Sequence, residues 1–230
     1  MPQENSKKLS IIIPVYNEEN FIHKLFEQLK SQFNNSTSEI IFVDDGSTDR
    51  SSENIEKIIK EGNYNFTLKH IKLNINSGKG KAIRTGIKNS NGKYILLQDA
   101  DLELDIKDAK EIYEIISTNK EIKCIFGSRY LSGKLKKNNY FLNNLVAKLN
   151  SLIFNIFFLQ SLSDVHCGLK IFHKSVLKKI NLTVNDFGIE IDLASQVVRN
   201  KFYIYEYGVS YYFGTKAEGK KITWVDGLKS

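Results

Sequence analysis

Asp99, Ala100 and Asp101 put two carboxylates two positions apart, directly after the apolar run Tyr94-Ile95-Leu96-Leu97. Like charges this close are costly without a counter-ion. The pattern therefore points to a hard divalent cation, Mg2+ or Mn2+, held by one or two carboxylates together with phosphate oxygens. Glu103 can add a third oxygen. A calcium-binding EF-hand is excluded, because Leu104 and Lys110 stand where that loop needs Gly and Glu. A second acidic stretch, Val43-Asp44-Asp45-Gly46-Ser47-Thr48-Asp49, follows another apolar run. Gly46 permits a tight turn, and Ser47 or Thr48 can cap a following helix. Asp44 and Asp45 are then able to accept hydrogen bonds from ribose hydroxyls or a base N–H. The third stretch, Asn76-Ser77-Gly78-Lys79-Gly80-Lys81, is a glycine-rich basic turn entering a helix, which suits a phosphate. It has neither Walker A spacing nor G-x-G-x-x-G, whose last place is taken by Ile83. Singly, each stretch also reads as a solvated turn. As a set they offer sugar or base acceptors, a phosphate site and metal ligands, the parts of a nucleotide diphosphate pocket.

The elements that must carry these loops alternate. Residues 9–13 read as a buried β-branched strand ending at Pro14, and 18–33 as a helix with its apolar stripe on Phe21, Ile22, Leu25, Phe26 and Leu29. Strands follow at 39–43, 66–73, 93–98 and 122–126, with helices at about 48–59, 79–88 and 105–116 between them. Such alternation builds βαβ units and a mainly parallel sheet, an α/β fold. Ligands bind such sheets at the carboxyl ends of the strands, where all three loops fall. Beyond residue 127 the rhythm breaks. Residues 140–162 are long enough to span a bilayer, but Asn143, Asn144, Lys148, Asn150, Ser151, Asn155 and Ser161 share one side of a helical wheel. The other side carries Phe141, Leu142, Leu145, Leu149, Leu152, Ile153, Ile156, Phe157 and Leu159. That is an amphipathic segment, lying in a membrane interface or packed on the domain's own core.

Composition narrows the class. The 230 residues, 41% hydrophobic and 26% charged, are ordinary for a globular chain and favour a single domain. Cys124 and Cys167 cannot build a disulfide framework, and no leader-like segment opens the chain, which predicts the cytoplasm. The net charge of +7 is unevenly spread. Residues 123–179 hold ten basic side chains and one acid, Asp164, a net of +9; the rest holds 23 basic and 25 acidic, a net of −2. The excess suits an anionic membrane and a lipid phosphate. Nucleic acid is not expected as a partner, since no recognised motif appears and the presumed site is acidic. Among 33 basic residues only Arg50, Arg84, Arg129 and Arg199 are arginines, so each is a candidate for a role that needs the planar fork.

The set Ile13-Pro14-Val15-Tyr16-Asn17-Glu18, the 43–49 stretch, Asn76 to Gly80 and Asp99-Ala100-Asp101-Leu102 resembles glycosyltransferase family 2, with the GT-A fold. Later residues are similar to the branch of dolichyl-phosphate mannosyl- and glucosyltransferases and bacterial polyprenyl-phosphate relatives. They are Gly127-Ser128-Arg129-Tyr130, Asp164-Val165-His166-Cys167-Gly168-Leu169-Lys170, Phe187-Gly188-Ile189-Glu190, and 218–224. The resemblance implies a Rossmann-like GT-A domain over 1–230 with an amphipathic helical insertion. It would have a loose tail at 1–8, a nucleotide-sugar half at 9–127 and an acceptor half at 128–230. It implies inverting transfer from a nucleotide sugar, of UDP-glucose or GDP-mannose type, to a polyprenyl phosphate of dolichyl or undecaprenyl type. Pro14, Tyr16, Glu18, Asp45 and Lys79 would hold the nucleotide, and the same loops add Asn17, Asp44, Asn76, Gly80, Asp99 and Ala100. Asp99, Asp101 and Glu103 would hold the metal, and Arg129, Lys216 and Lys220 the acceptor phosphate. A phosphate acceptor is already an anionic nucleophile. A sugar hydroxyl, the alternative acceptor, needs a base, for which Glu190 is the candidate. His166 and Cys167 read as a packed pair without chemistry of their own. The transmembrane helices of many relatives have no counterpart here, so membrane contact would be peripheral, on the cytoplasmic face.

Overall fold

The computed structural model describes residues 8–35, 37–62, 64–131 and 141–212. In chain order the elements are β1 (Leu9–Val15), α1 (Ile22–Phe33), β2 (Ser38–Asp44), α2 (Ser51–Glu61), β3 (Thr67–Lys72), α3 (Lys79–Lys88) and β4 (Tyr94–Leu97). They continue as α4 (Ile106–Thr118), β5 (Cys124–Ser128), α5 (Phe141–Phe158), β6 (Lys170–His173), α6 (Lys174–Leu177), α7 (Ile189–Arg199) and β7 (Tyr205–Gly208). The seven strands form one sheet in the order β3-β2-β1-β4-β6-β5-β7. Its first four strands pair in parallel, as the strand–helix alternation predicts. β6 runs antiparallel between β4 and β5, and β7 returns parallel to β5. The sheet is thus mixed but mainly parallel.

Strand period decides the layers. Ile11 and Ile13 of β1 and Ile40 and Phe42 of β2 face one way and pack on Leu25, Phe26 and Leu29 of α1, Ile55 of α2 and Ile112 of α4. Ile12, Ile41 and Val43 face the other way, onto Ala82 and Ile83 of α3, Phe154 of α5 and Leu193 and Val197 of α7. Both faces of β1 and β2 are covered by helices, so those strands read as continuous apolar runs.

The sequence reading ends the alternation at residue 127; the structure adds β6, α7 and β7 beyond it. β6 begins at Lys170 and ends at His173, so only Ile171 and Phe172 between them carry the apolar signal of a buried strand. Among the described residues no helix is long and apolar enough to cross a membrane. The tail expected at 1–8 lies almost wholly outside the described residues.

Candidate active site

The loops after β1 and β2 are tied to each other. Asn17, with φ at 55°, accepts at Oδ1 from the Thr48 N–H (2.7 Å) and donates its own N–H to Ser47 Oγ (2.9 Å). The Glu18 N–H donates to Ser51 Oγ (2.7 Å), and Asp49 accepts from the N–H groups of Ser51 and Glu19. Ser47 and Thr48, candidate caps in the sequence, brace Asn17 instead, and α2 begins after Arg50 without a side-chain cap. Asp44 is fully buried and accepts from the Ser47 N–H (2.8 Å), with His70 Nε2 3.9 Å from its other oxygen. Burial alone would raise its carboxyl, but His70 and Ser47 outweigh it and hold it at about 2. The expected contact of Asp44 with a ribose or base is therefore corrected: it sits under the turn. Asp45 is also buried, and its two oxygens accept from the N–H groups of Ser77 (2.9 Å) and Gly78 (2.7 Å). It clamps the second loop to the third. Tyr16 and Asn76 are exposed beside these clamps, with Pro14 and Glu18 half-buried.

The glycine-rich turn is covered by another loop. Gly78 has φ at +95°, and an added Cβ would lie 2.3 Å from the Asn185 carbonyl oxygen; at Gly80 it would lie 2.3 Å from that of Val184. The Lys81 N–H donates to Asn185 O (3.1 Å), and the Arg84 guanidinium donates to Val184 O and Asn185 Oδ1. The Lys81 N–H in the first turn of α3 thus finds its acceptor within the chain, and Gly80 is buried. Lys79, the first residue of α3, keeps the charge of this turn at the site.

At the end of β4 the carboxylates crowd one another. Asp99 Oδ1 lies 2.7 Å from Lys79 Nζ, and its other oxygen packs where a Cβ on Gly168 would come to 1.9 Å. Ala100 is buried in the core beneath. Asp101 accepts only a 3.1 Å hydrogen bond from the Glu103 N–H among the contacts seen. Burial, followed by the neighbouring charges of Asp99 and Glu103, pushes its carboxyl up to about 7. Such a set of hard oxygen donors, with Lys79 on Asp99 as the cation in contact, fits Mg2+ or Mn2+. Glu103 is drawn aside, since the Tyr211 hydroxyl donates to its Oε2 (2.8 Å). Among the described residues no group of three or more His, Cys, Asp or Glu side chains is gathered for a metal. Glu103, expected as a third ligand, is not gathered with Asp99 and Asp101 into such a group, and its Oε2 is taken by Tyr211.

Glu190, in the first turn of α7, is buried. Its carboxylate meets Lys79 Nζ at 2.8 Å and pairs with Lys170 on its other side. Burial would raise it, but Lys170 and Lys79 bring it down to about 2. Both oxygens of Glu190 are thus ion-paired, the arrangement in which its expected role as general base has to be judged.

Arg129 stands at the end of β5. Its Nε and Nη2 donate to the two oxygens of Asp164 at 2.7 and 2.8 Å, a bidentate pair, and the Asp164 side chain is wholly buried. The guanidinium lies 5.4 Å from the Tyr211 ring, the same Tyr211 that holds Glu103. Tyr211 thus joins the metal loop to the arginine, a link no sequence spacing announces. Cys167 is buried, its thiol pushed up to about 12, foremost by burial. His166 Nε2 lies 3.0 Å from the Asn150 amide, and burial foremost lowers its imidazole to about 4, as expected of a packed pair. Lys216 and Lys220 lie outside the described residues.

Next to this end of the sheet runs α5, with its amphipathic faces inverted. Ser151 and Phe154 point inward, and Asn155 accepts from the Leu162 N–H and donates to its carbonyl (2.9 Å each). Leu145, Leu149, Leu152, Ile153, Ile156 and Phe157 are exposed, Phe157 to 79%. An exposed apolar stripe of this extent marks an interaction surface.

Residues 10–181 match the model of the family described as Glycosyl transferase family 2. A dolichyl-phosphate beta-glucosyltransferase of Saccharomyces cerevisiae is 30% identical over 243 aligned positions, covering 96% of this chain and 71% of that protein. A dolichol-phosphate mannosyltransferase of Pyrococcus furiosus is 27% identical over 93% of this chain and 58% of its own. Among solved structures, glucosyl-3-phosphoglycerate synthase of Mycobacterium tuberculosis, in complex with Mn2+, UDP and phosphoglyceric acid, superposes with a TM-score of 0.70. It covers 92% of this chain and 73% of that one, at 17% identity, and so shows the fold. The chain belongs to glycosyltransferase family 2, with the GT-A fold, and is a nucleotide-sugar glycosyltransferase.

Proposed function

We propose that the enzyme transfers a hexose, with inversion, from a nucleotide sugar to a polyprenyl phosphate at the cytoplasmic face of a membrane, which it meets peripherally. The observation that carries this reading is the outward apolar face of α5, a helix whose inner face is tied through Ser151 to the Val165 N–H, next to the Asp164 that pairs with Arg129. A soluble acceptor needs no such face, whereas a lipid phosphate must be taken from a surface. Both relatives named above are, by name, enzymes of dolichyl or dolichol phosphate.

The donor would be of UDP-glucose or GDP-mannose type, its diphosphate near Lys79 and its base and ribose over the Pro14–Glu18 and Asn76 loops. Asp99 and Asp101 would hold Mg2+ or Mn2+, which when bound offsets the charge that develops on the leaving diphosphate. Lys79 adds its ammonium on the same side. An acceptor phosphate oxygen attacks the anomeric carbon from the opposite face, the bond to the diphosphate breaks, and the configuration inverts. That oxygen is already anionic, so no side chain has to take a proton, which agrees with the ion-paired state of Glu190. Arg129, oriented by Asp164, would face the acceptor phosphate.

The test is nucleotide release with Mn2+ and a short polyprenyl phosphate, in parallel with sugar-hydroxyl acceptors. The proposal expects turnover with the lipid phosphate and its loss in Arg129→Ala. Turnover only with hydroxyl acceptors overturns it. Vesicles with anionic headgroups should co-sediment the wild type and release a Leu152→Glu/Phe157→Glu variant; equal sedimentation of both would remove α5 from the account.

A further inference from the structure

Lys170 is a buried charge that the proposed mechanism leaves without work. It lies in β6, opposite Leu97 of β4 and Phe126 of β5, and is wholly buried. Its ammonium donates to the carbonyls of Val165 and Cys167, sits 4.9 Å from the centre of the Phe126 ring, and pairs with Glu190. A buried lysine is expensive, and an apolar residue of similar size would normally serve a central strand better. What Lys170 touches is therefore informative. Glu190 bridges it to Lys79, and Lys79 reaches Asp99 at 2.7 Å. The four side chains come from β6, α7, α3 and the loop after β4, and they alternate in sign from the core to the mouth of the site. Lys79 is a long flexible side chain, and among the described residues Glu190 and Asp99 are the groups that hold its Nζ.

We infer that Lys170 and Glu190 are positioning residues: the buried Lys170 fixes Glu190, and Glu190 fixes the Lys79 ammonium beside Asp99, where the donor diphosphate is bound. The inference rests on the reading of Lys79 as a diphosphate contact. In this arrangement Glu190 is charged because Lys170 stands behind it. It can then keep its hold on Lys79 when Asp99 turns to another partner. With Lys170 removed, one face of a buried carboxylate loses its partner, and Glu190 is free to shift or to draw Lys79 inward. Lys170→Met should accordingly move Lys79, a side chain that Lys170 does not touch.

Two measurements test this, one without ligand. In 1H–15N spectra of side-chain ammonium groups, the Lys79 signal, assigned with Lys79→Ala, should shift or vanish in both Glu190→Gln and Lys170→Met. An unmoved Lys79 signal in folded Lys170→Met overturns the inference. The second is calorimetric binding of UDP and GDP with Mn2+, joined to a kinetic split. Lys170→Met should weaken nucleotide diphosphate binding and raise the donor KM by about tenfold, with a smaller change in kcat. In a Lys79→Ala background the same change should have almost no effect. Additive losses would mean that Lys170 only supports the fold, and would overturn the inference while leaving the functional reading intact. A wild-type chain that binds neither nucleotide overturns that reading, and with it this role for Lys170. If Lys170→Met does not fold, Lys170→Met/Glu190→Gln removes both members and leaves no unpaired buried charge. That variant should show the same displaced Lys79 signal and the same non-additivity with Lys79→Ala, and the opposite results count against the inference as before.

Discussion

Two acidic loops leave neighbouring parts of the same sheet edge, and in the sequence they look alike. In the loop after β2, every aspartate is answered by backbone donors: Asp44 by Ser47, Asp45 by Ser77 and Gly78, Asp49 by Ser51 and Glu19. In the loop after β4, Asp101 has one backbone donor and two carboxylates for neighbours. Asp44, with His70 and Ser47 beside it, is held at about 2, while Asp101 is pushed up to about 7; Asp45 is raised as well, foremost by burial, although its two amide donors pull it the other way. Charge satisfied by amides is used for holding loops together. Charge left short of donors is available to a cation from outside. The difference teaches which acidic motif does chemistry better than either motif's spelling does.

The sharpest way to break the comparison is to neutralise one aspartate in each loop. Asp101→Asn should lower turnover by about a hundredfold or more, through lost stabilisation of the leaving diphosphate. Its metal-free melting temperature should hold or rise, because a repulsion has been removed. Asp44→Asn should do the reverse. Denaturant unfolding should show a loss of about 2 kcal/mol, since a buried acceptor of a backbone N–H is weakened. The activity per folded molecule should change little.

A smaller effect is expected from Gly168→Ala. The new Cβ would fall 1.9 Å from Asp99 Oδ2, so the carboxylate must swing away. The donor KM should rise by about tenfold, with a modest shift in melting temperature. Unchanged kinetics would mean that the position of Asp99 is not critical.

The smallest effect is the pH response. The Asp101 carboxyl is raised in the folded chain, so stability is lost as pH climbs from 3.8 to about 7 and the loss is complete above that. A divalent cation needs the ionised form. The gain in melting temperature on adding Mn2+ should therefore grow from pH 6 to 8 by on the order of a few degrees. A gain independent of pH would separate Asp101 from the cation.

The parallel half of the sheet and the three loops at its edge were legible in the sequence, because strand and helix periods repeat there without interruption. The partners of the loop residues were not. Asp45 meets amides at 77 and 78, and Gly78 and Gly80 are glycines because carbonyls at 184 and 185 lie against them. Such contacts are set by tertiary folding and leave no local pattern. β6 was hidden because its four residues begin with Lys170 and end with His173, leaving only Ile171 and Phe172 as an apolar signal. For α5 the periodicity gave two faces, but not which of them turns inward; Ser151 and Asn155 turn inward because the 162–165 loop needs their hydrogen bonds.

The central claim is that the loop after β4, and not the one after β2, gives the enzyme its cation and through it the nucleotide diphosphate. Calorimetric titration of UDP and GDP into wild type and Asp101→Asn, each with and without Mn2+, tests it directly. The account predicts that one of the nucleotides binds the wild type tightly only with Mn2+, and that Asp101→Asn abolishes the metal-dependent part. Equal, metal-independent binding to both proteins would contradict it.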